Sequence, residues 1–302
     1  MTDAPSPLWR SQPVGIVGMG LIGGSIGLDL GRLGAEVRAL VHRPVTAQRA
    51  LARGLAGTVS TDPAVLEGCG LVILAVPLDR LLDPAPEWLA AIPQAAVVTD
   101  VGSVKGSVLE RWQRLVDRFV ASHPMAGTAE AGVEAGLPGL FAGRPWVATP
   151  NLSTDPEALA AVRDLALALG AQWLTCDPRL HDQAVALISH LPVLAGAALL
   201  QAADGGAREG GVELPALVRA LASTGFADTT RVGGGNPELG SLMARTNRAA
   251  LLTALGRYRE GIEALEQQLQ EGHWQDLQAT LAQAQALRPQ FVAASPNAPA
   301  PD

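Results

Sequence analysis

The chain has 302 residues, 48% of them hydrophobic and only 4% aromatic, with a formal net charge of -7 at neutral pH. Domains run about 100–200 residues, so this length fits two, with cores built mainly of Ala, Leu and Val. The acidic balance and the lack of any basic block argue against nucleic acid as a partner, because phosphate binding needs clustered Lys and Arg.

Two lone cysteines, Cys69 and Cys176, make no disulfide framework, and a reducing cytoplasm is expected. The opening MTDAPSPLWRSQ lacks the charged-then-apolar pattern of a signal peptide. The apolar runs fall short of the ~20 residues of a membrane span or are Gly- and Ala-rich with polar interruptions, so no membrane partner is expected.

From Val14 to Cys176 strands alternate with helices. Val14–Val17 is a short apolar run and reads as a buried strand, followed by a Gly-rich turn and a helix through about Leu33. Glu36–Val41 reads as the second strand and Thr46–Arg53 as the next helix. Further strands are predicted at Leu71–Val76, Ala96–Asp100, Arg118–Ser122, Pro145–Ala148 and Gln172–Thr175, with helical periodicity clearest at Pro156–Leu169. This alternation predicts an α/β fold, a Rossmann-type, mostly parallel sheet covered on both faces, over residues 10–176. From 177 to 290 the pattern is helical only, with candidates at Pro178–Ala203, Leu214–Ala222, Pro237–Leu255, Tyr258–Gln270 and His273–Leu287. Pro192 should kink or split the first of these. The Pro- and Ala-rich residues 291–302 read as a disordered tail.

Gly18-x-Gly20-x-x-Gly23 follows a strand and opens a helix. Gly18 permits a tight turn, Gly20 lets a pyrophosphate approach, and Gly23 lets helix and strand pack closely, while the helix N-terminus offers free N–H groups. Gly18, Gly20, Leu21, Ile22 and Gly23, together with Val76 and Pro77 after the Leu71 strand, are the expected dinucleotide site. An NAD enzyme usually carries an acidic residue at the end of the second strand, to hold the ribose hydroxyls. Here that strand runs into His42 and Arg43, and Glu36 sits at its start. Arg43 is either a solvated charge or the partner of a 2′-phosphate, whose oxygens match its guanidinium fork; the expected cofactor is NADP.

Two segments after strand ends carry polar groups where such sheets bind ligands, Thr99–Lys105 and Ser122–Thr128. His123 follows a short strand and could take a proton from a substrate hydroxyl as hydride leaves the same carbon, or be a structural loop histidine. His190, within ISHLP, sits among apolar residues and reads by itself as a hydrogen-bonded core histidine. Arg231 lies beside a Gly-rich loop and is either a bidentate carboxylate clamp or the internal partner of Asp228. No metal site is expected.

The strings VGIVGMGLIGGSIG, DVGSVK, SHPMAGT, HDQAVALISHLP and FADTTRVGGGNPEL, in this order, resemble the TyrA family of prephenate and arogenate dehydrogenases from about Val14 to Leu287. The HPMAGTA and RVGGGNPEL forms are most similar to the cyanobacterial-type arogenate enzymes. The resemblance implies a helical dimerisation domain after the Rossmann domain, hence a homodimer, and an oxidative decarboxylation in tyrosine biosynthesis. Arogenate gives tyrosine; prephenate gives 4-hydroxyphenylpyruvate. It also implies roles. His123 is the catalytic histidine bound to the substrate 4-hydroxyl, and Ser103 positions that hydroxyl and the histidine. His190 and Thr128 are substrate-site residues, and Arg231 binds a substrate carboxylate. Two departures weaken a transfer of prephenate specificity. Ala129 stands where many prephenate-using members are acidic, and Pro237 is followed by Glu238-Leu239-Gly240 where many have a Trp.

Besides an imine-type dehydrogenase, competing readings are a β-hydroxyacid-type dehydrogenase and a non-catalytic NADP-binding protein. The first usually relies on a lysine in its helical domain, whereas the one lysine of this chain, Lys105, lies in the Rossmann half. The second requires the His123, Ser103 and Arg231 set to be accidental.

Overall fold

The computed structural model describes residues 7–128 and 130–292. After a short helix α1 (Leu8–Ser11), six parallel strands form one sheet: β1 (Val14–Val17), β2 (Val37–Leu40), β3 (Thr58–Ser60), β4 (Leu71–Leu74), β5 (Val97–Asp100) and β6 (Phe119–Val120). Their order is β3-β2-β1-β4-β5-β6, the Rossmann arrangement, with β1 and β4 at the point where the winding reverses. Every residue of β1, β4 and β5 is buried, as a central parallel strand covered on both faces requires. The covering helices are α2 (Leu21–Arg32), α3 (Pro44–Ala52), α4 (Leu78–Leu82), α5 (Pro86–Ala90) and α6 (Gly106–Trp112). The edge strand β3 was not expected from the sequence; it is three residues long and only partly buried.

The predicted strand Arg118–Ser122 is two strands in two sheets. β6 closes the parallel sheet, and β7 (Ser122–Pro124) leaves it. β7 pairs antiparallel with β8 (Pro145–Ala148), which pairs parallel with β9 (Gln172–Thr175). A fully buried ion pair causes the change of sheet. The Ser122 N–H donates to Asp100 Oδ1 at 3.1 Å and Lys105 Nζ donates to the Ser122 carbonyl at 2.7 Å, so side chains take up the peptide groups a continued ladder would use. His123 therefore lies within a strand of the second sheet, opposite Val147, rather than in the loop after a strand.

Helix α7 (Pro156–Ala168) covers the sheet, and from α8 (Pro178–Val185) onward the chain is helical. Asp155, Asp177 and Asn236 each stand before a proline and accept hydrogen bonds from first-turn N–H groups, which starts α7, α8 and α12 (Pro237–Thr246). The proline fits at the first helical position because that N–H has no intrahelical partner.

Pro192 does not split its helix. A π turn, Ala186–His190, joins α8 to α9 (Leu191–Glu209), with the Leu191 N–H bonded to the Ala186 carbonyl. One wider turn accommodates the missing N–H, and π turns of this kind gather at functional sites. The joined helix, Pro178–Glu209, is 32 residues long with a mean hydropathy of 1.7 over its most apolar stretch, long and apolar enough to cross a membrane by length and composition. Helices α10 (Leu214–Leu221) and α11 (Thr224–Thr230) pack on α9. Phe226–Thr230 of the FADTTR segment is thus helical, which was not foreseen.

The break expected between Leu255 and Tyr258 falls at Asn247 instead, between α12 and α13 (Arg248–Gln270). Asn247 turns its side chain inward to two partners described below, and its backbone leaves the helical region (φ -112°, ψ 33°). The last helix, α14, runs Trp274–Val292. The tail expected at 291–302 lies, from 293 on, outside the described residues.

Candidate active site

The glycine turn sits at the carboxyl end of β1, against the end of β4. Gly18 has φ 97°, and a Cβ there would lie 2.4 Å from the Ala75 carbonyl oxygen. A Cβ on Gly23 would lie 2.1 Å from the Gly18 oxygen. Only glycine allows this approach of α2 to β1 and β4. Above Gly20 the space is open, and no side chain caps α2, so its first-turn N–H groups face outward beside half-buried Leu21 and Ile22. An uncapped helix start under open space fits a pyrophosphate. Val76 and Pro77 follow one residue after β4, and a Cβ on Gly18 would lie 3.1 Å from Val76 Cγ1, so they flank the same crevice.

The Gly18 N–H donates to the Leu40 carbonyl at 2.9 Å, which places the end of β2 beside the turn. His42 and Arg43, just beyond, are exposed, and Arg43 makes no ion pair among the described residues. Glu36 stands at the far end of β2, with a carboxylate oxygen 2.6 Å from Arg38. No carboxylate of β2 is therefore at the cofactor end.

At the end of β5 lies a buried polar knot that the sequence reading missed. Asp100 and Lys105 have no exposed side-chain surface. The Asp100 carboxylate accepts from Lys105 Nζ, from the Gly102 N–H at 2.8 Å and from the Ser122 N–H. Burial pushes the Asp100 carboxyl up and the Lys105 amine down, and each opposes the shift in the other by its charge. The Ser122 hydroxyl lies 2.8 Å from that of Thr99, donates to the Asp100 carbonyl at 2.9 Å and accepts from Trp146 Nε1 at 3.0 Å. Ser122 is thus fixed on every side, which immobilises the backbone that carries His123.

His123 is half-buried, and its Nδ1 lies 3.0 Å from Nε2 of His181. His181 Nδ1 is in turn 2.9 Å from Asp182 Oδ1. The Asp182 carboxylate also accepts from the Lys105 N–H at 2.7 Å and the Gly106 N–H at 2.9 Å, which docks α8 on the start of α6. Burial raises the Asp182 carboxyl, but these hydrogen bonds outweigh it and hold the group below the usual carboxylate range. Asn247 Nδ2 donates to the Asp182 carbonyl at 2.7 Å and lies 3.1 Å from His190 Nδ1. His190 is fully buried, and its Nε2 has no partner among the described residues. Burial first, and the charge of His181 second, lower its pKa to about 4 against the pull of Asp182. Burial, then the charges of His181, Lys105 and His190, place His123 well below 6.5. Both imidazoles are neutral at neutral pH.

The chain thus brings His123 and His190 together through His181, Asp182 and Asn247. Ser103 lies half-buried on the turn between Asp100 and Lys105. Thr128 is exposed, and its hydroxyl accepts from the Glu130 N–H at 3.2 Å. Arg231 caps the C-terminal end of α11, exposed, and makes no ion pair with Asp228 or any other described residue. The glycine loop after it seats on α9, where a Cβ on Gly233 would lie 2.2 Å from the Ala197 nitrogen. No hydrogen bond among the described residues ties Arg231 or Thr128 to the histidines. His181 and Asp182 had a sequence signal, an adjacent His-Asp pair nine positions before His190, while Asn247 had none.

Residues 26–175 match the family described as prephenate dehydrogenase, nucleotide-binding domain, and residues 177–283 that described as prephenate dehydrogenase, dimerization domain. The chain is 28% identical over 74% of its length to the prephenate dehydrogenase of Bacillus subtilis, and spans 61% of that enzyme. Among solved structures, Synechocystis arogenate dehydrogenase is 39% identical with a TM-score of 0.80, over 93% of this chain and 100% of that one. The prephenate dehydrogenase of Aquifex aeolicus, in complex with hydroxyphenyl propionate and NAD+, is 26% identical with a TM-score of 0.86, over 93% and 99% of the two chains.

Proposed function

This chain belongs to the prephenate dehydrogenase family, and from that premise we propose that it is an NADP-dependent arogenate dehydrogenase that makes tyrosine by oxidative decarboxylation. The observation that carries the chemistry is His123: a neutral imidazole at the carboxyl end of the sheet, with Nδ1 held by His181 and Nε2 left for a substrate. When bound, the nicotinamide takes up the hydride released from the substrate ring. His123 accepts the proton of the 4-hydroxyl as that hydride leaves C4. It returns the proton to the phenolate oxygen once the bond to the ring carboxylate has broken and carbon dioxide has left. Ser103 orients the hydroxyl, His190 offers its unpartnered Nε2 to the substrate, and Arg231 holds the ring carboxylate, with Thr128 at the rim. A fixed cation on the carboxylate keeps C4 facing the cofactor, which is catalysis by orientation.

Arogenate is favoured over prephenate by the 39% identity to the Synechocystis arogenate enzyme along its whole chain, and by the departures at Ala129 and Pro237. NADP is favoured by the exposed Arg43 beside the glycine turn, unpaired among the described residues, with Glu36 at the far end of its strand. We read the apolar helix Pro178–Glu209 as a dimer face rather than a membrane span, because it carries buried His190 and packs with α10 and α11, and the matched family segment is a dimerization domain. A soluble cytoplasmic homodimer follows.

The test is reduced-nicotinamide formation in four pairings, arogenate or prephenate with NADP or NAD. Turnover with arogenate and NADP alone is the expected outcome. Turnover with prephenate keeps the residues and changes the substrate; no turnover in any pairing overturns the reading. A His123→Asn variant should fold and bind cofactor yet lose about 10²–10⁴-fold in kcat, the usual contribution of a general base. Full turnover would return His123 to a structural role.

A further inference from the structure

We propose that Asp182 is a positioning residue that sets opposite tautomers in the two site histidines, its carboxylate fixing His123 through His181 and its main-chain carbonyl fixing His190 through Asn247. The inference deepens the dehydrogenase reading, on which its catalytic meaning rests; the tautomers themselves do not depend on it.

The first arm starts from the carboxylate. The hydrogen bond with His181, and after it those from the Lys105 and Gly106 N–H groups, hold Asp182 ionised, so toward His181 it can only accept. The hydrogen on His181 is therefore on Nδ1, 2.9 Å from Oδ1. With that hydrogen as its only one, His181 keeps a lone pair on Nε2. That lone pair faces His123 Nδ1 at 3.0 Å, so the hydrogen between the rings belongs to His123. His123 then carries its proton on Nδ1, and Nε2 is the acceptor. A general base needs this form, since the other tautomer would present an N–H to the substrate hydroxyl.

The second arm starts from the carbonyl of the same residue. Nδ2 of Asn247, and not its oxygen, must face the Asp182 carbonyl at 2.7 Å, because two oxygens would repel; this fixes the amide orientation. Nδ2 has a second hydrogen, directed at His190 Nδ1 at 3.1 Å. His190 Nδ1 is thus the acceptor and its Nε2 bears the hydrogen. That Nε2–H is the buried donor left without a partner, and it suits a substrate oxygen. One residue therefore prepares an acceptor on His123 and a donor on His190.

The experiment is ¹⁵N NMR of the protein labelled at histidine, without substrate, in which lone-pair and N–H ring nitrogens resonate far apart. His123 and His190 are assigned by their single replacements. Wild-type protein should show Nδ1–H at His123 and Nε2–H at His190. Asp182→Asn should mix the His123 tautomers and leave His190 unchanged, and Asn247→Leu should do the reverse. In turnover, Asp182→Asn and His181→Leu should lose about 10²-fold in kcat with little change in KM, within the range for a general base. His181→Gln, whose side-chain oxygen can accept from His123 Nδ1, should keep the tautomer and most of the rate. If Asp182→Asn does not fold, the His181 pair carries the test. Wild-type His123 with its hydrogen on Nε2 overturns the proposal, as does an unchanged His123 tautomer in both Asp182→Asn and His181→Leu. Correct tautomers with no dehydrogenase turnover would count against the functional reading alone.

Discussion

His190 is buried without an ionised partner, and its folded pKa of about 4 compares with 6.5 for an unperturbed imidazole. Between those values the unfolded chain binds a proton that the folded chain does not, so the unfolded state gains as pH falls. Stability is therefore expected to decline from about pH 6.5 toward 4, with His123 adding in the same direction. Urea midpoints measured across that range should fall with pH, and a His190→Gln variant should show a shallower fall; an equal slope would place the titration elsewhere. Arg43 gives a second residue-level prediction. Arg43→Ala should weaken NADP about 10- to 100-fold, the equivalent of the ~1.5–3 kcal/mol of a charged hydrogen bond, and leave NAD binding almost unchanged. Equal loss with both cofactors would reassign the arginine to the surface.

At the scale of elements, the glycine turn is the most constrained joint in the nucleotide-binding half. In a Gly23→Ala variant the new methyl meets the Gly18 oxygen at 2.1 Å, so α2 must move off β1. A cost of about 1–3 kcal/mol is expected from such overpacking, together with weaker cofactor binding, read as a lower Tm and a raised Kd. A variant as stable and as tight as the parent would show that α2 can shift freely. This joint was legible in the sequence because its cause is local: a strand, a glycine spacing and a helix within one stretch. β1, β8 and β9 were legible to the residue for the same reason, as short apolar or alternating runs. The transfer of β7 to a second sheet was not, because it depends on Asp100 and Lys105, which lie 22 and 17 positions from Ser122. The helix break at Asn247 depends on a carbonyl 65 positions away. The candidate site divides in the same manner: His123, His190 and Ser103 stand in recognisable strings, whereas the residues that hold the histidines are identified only by whom they meet.

At the scale of the molecule, the helical half leaves much apolar surface uncovered. Only 22% of the most apolar stretch of Pro178–Glu209 is buried, with Leu187 and Ile188 more than half exposed. A second copy covering this face would remove it from water, a favourable change of about 25 cal/mol per Å² of apolar surface. Light scattering at micromolar concentration should give twice the 31.2 kDa of one chain. A Leu187→Glu, Ile188→Glu pair should shift that mass toward the monomer, and a monomeric parent would overturn the dimer. The fully enclosed Lys105 bears on how such a dimer can be observed. It is the sole lysine of the sequence, and every other fixed cation is an arginine. Acylating labels and amine cross-linkers thus meet no lysine side chain on the folded surface. Two subunits in full contact would pass unjoined through an assay that links lysine side chains.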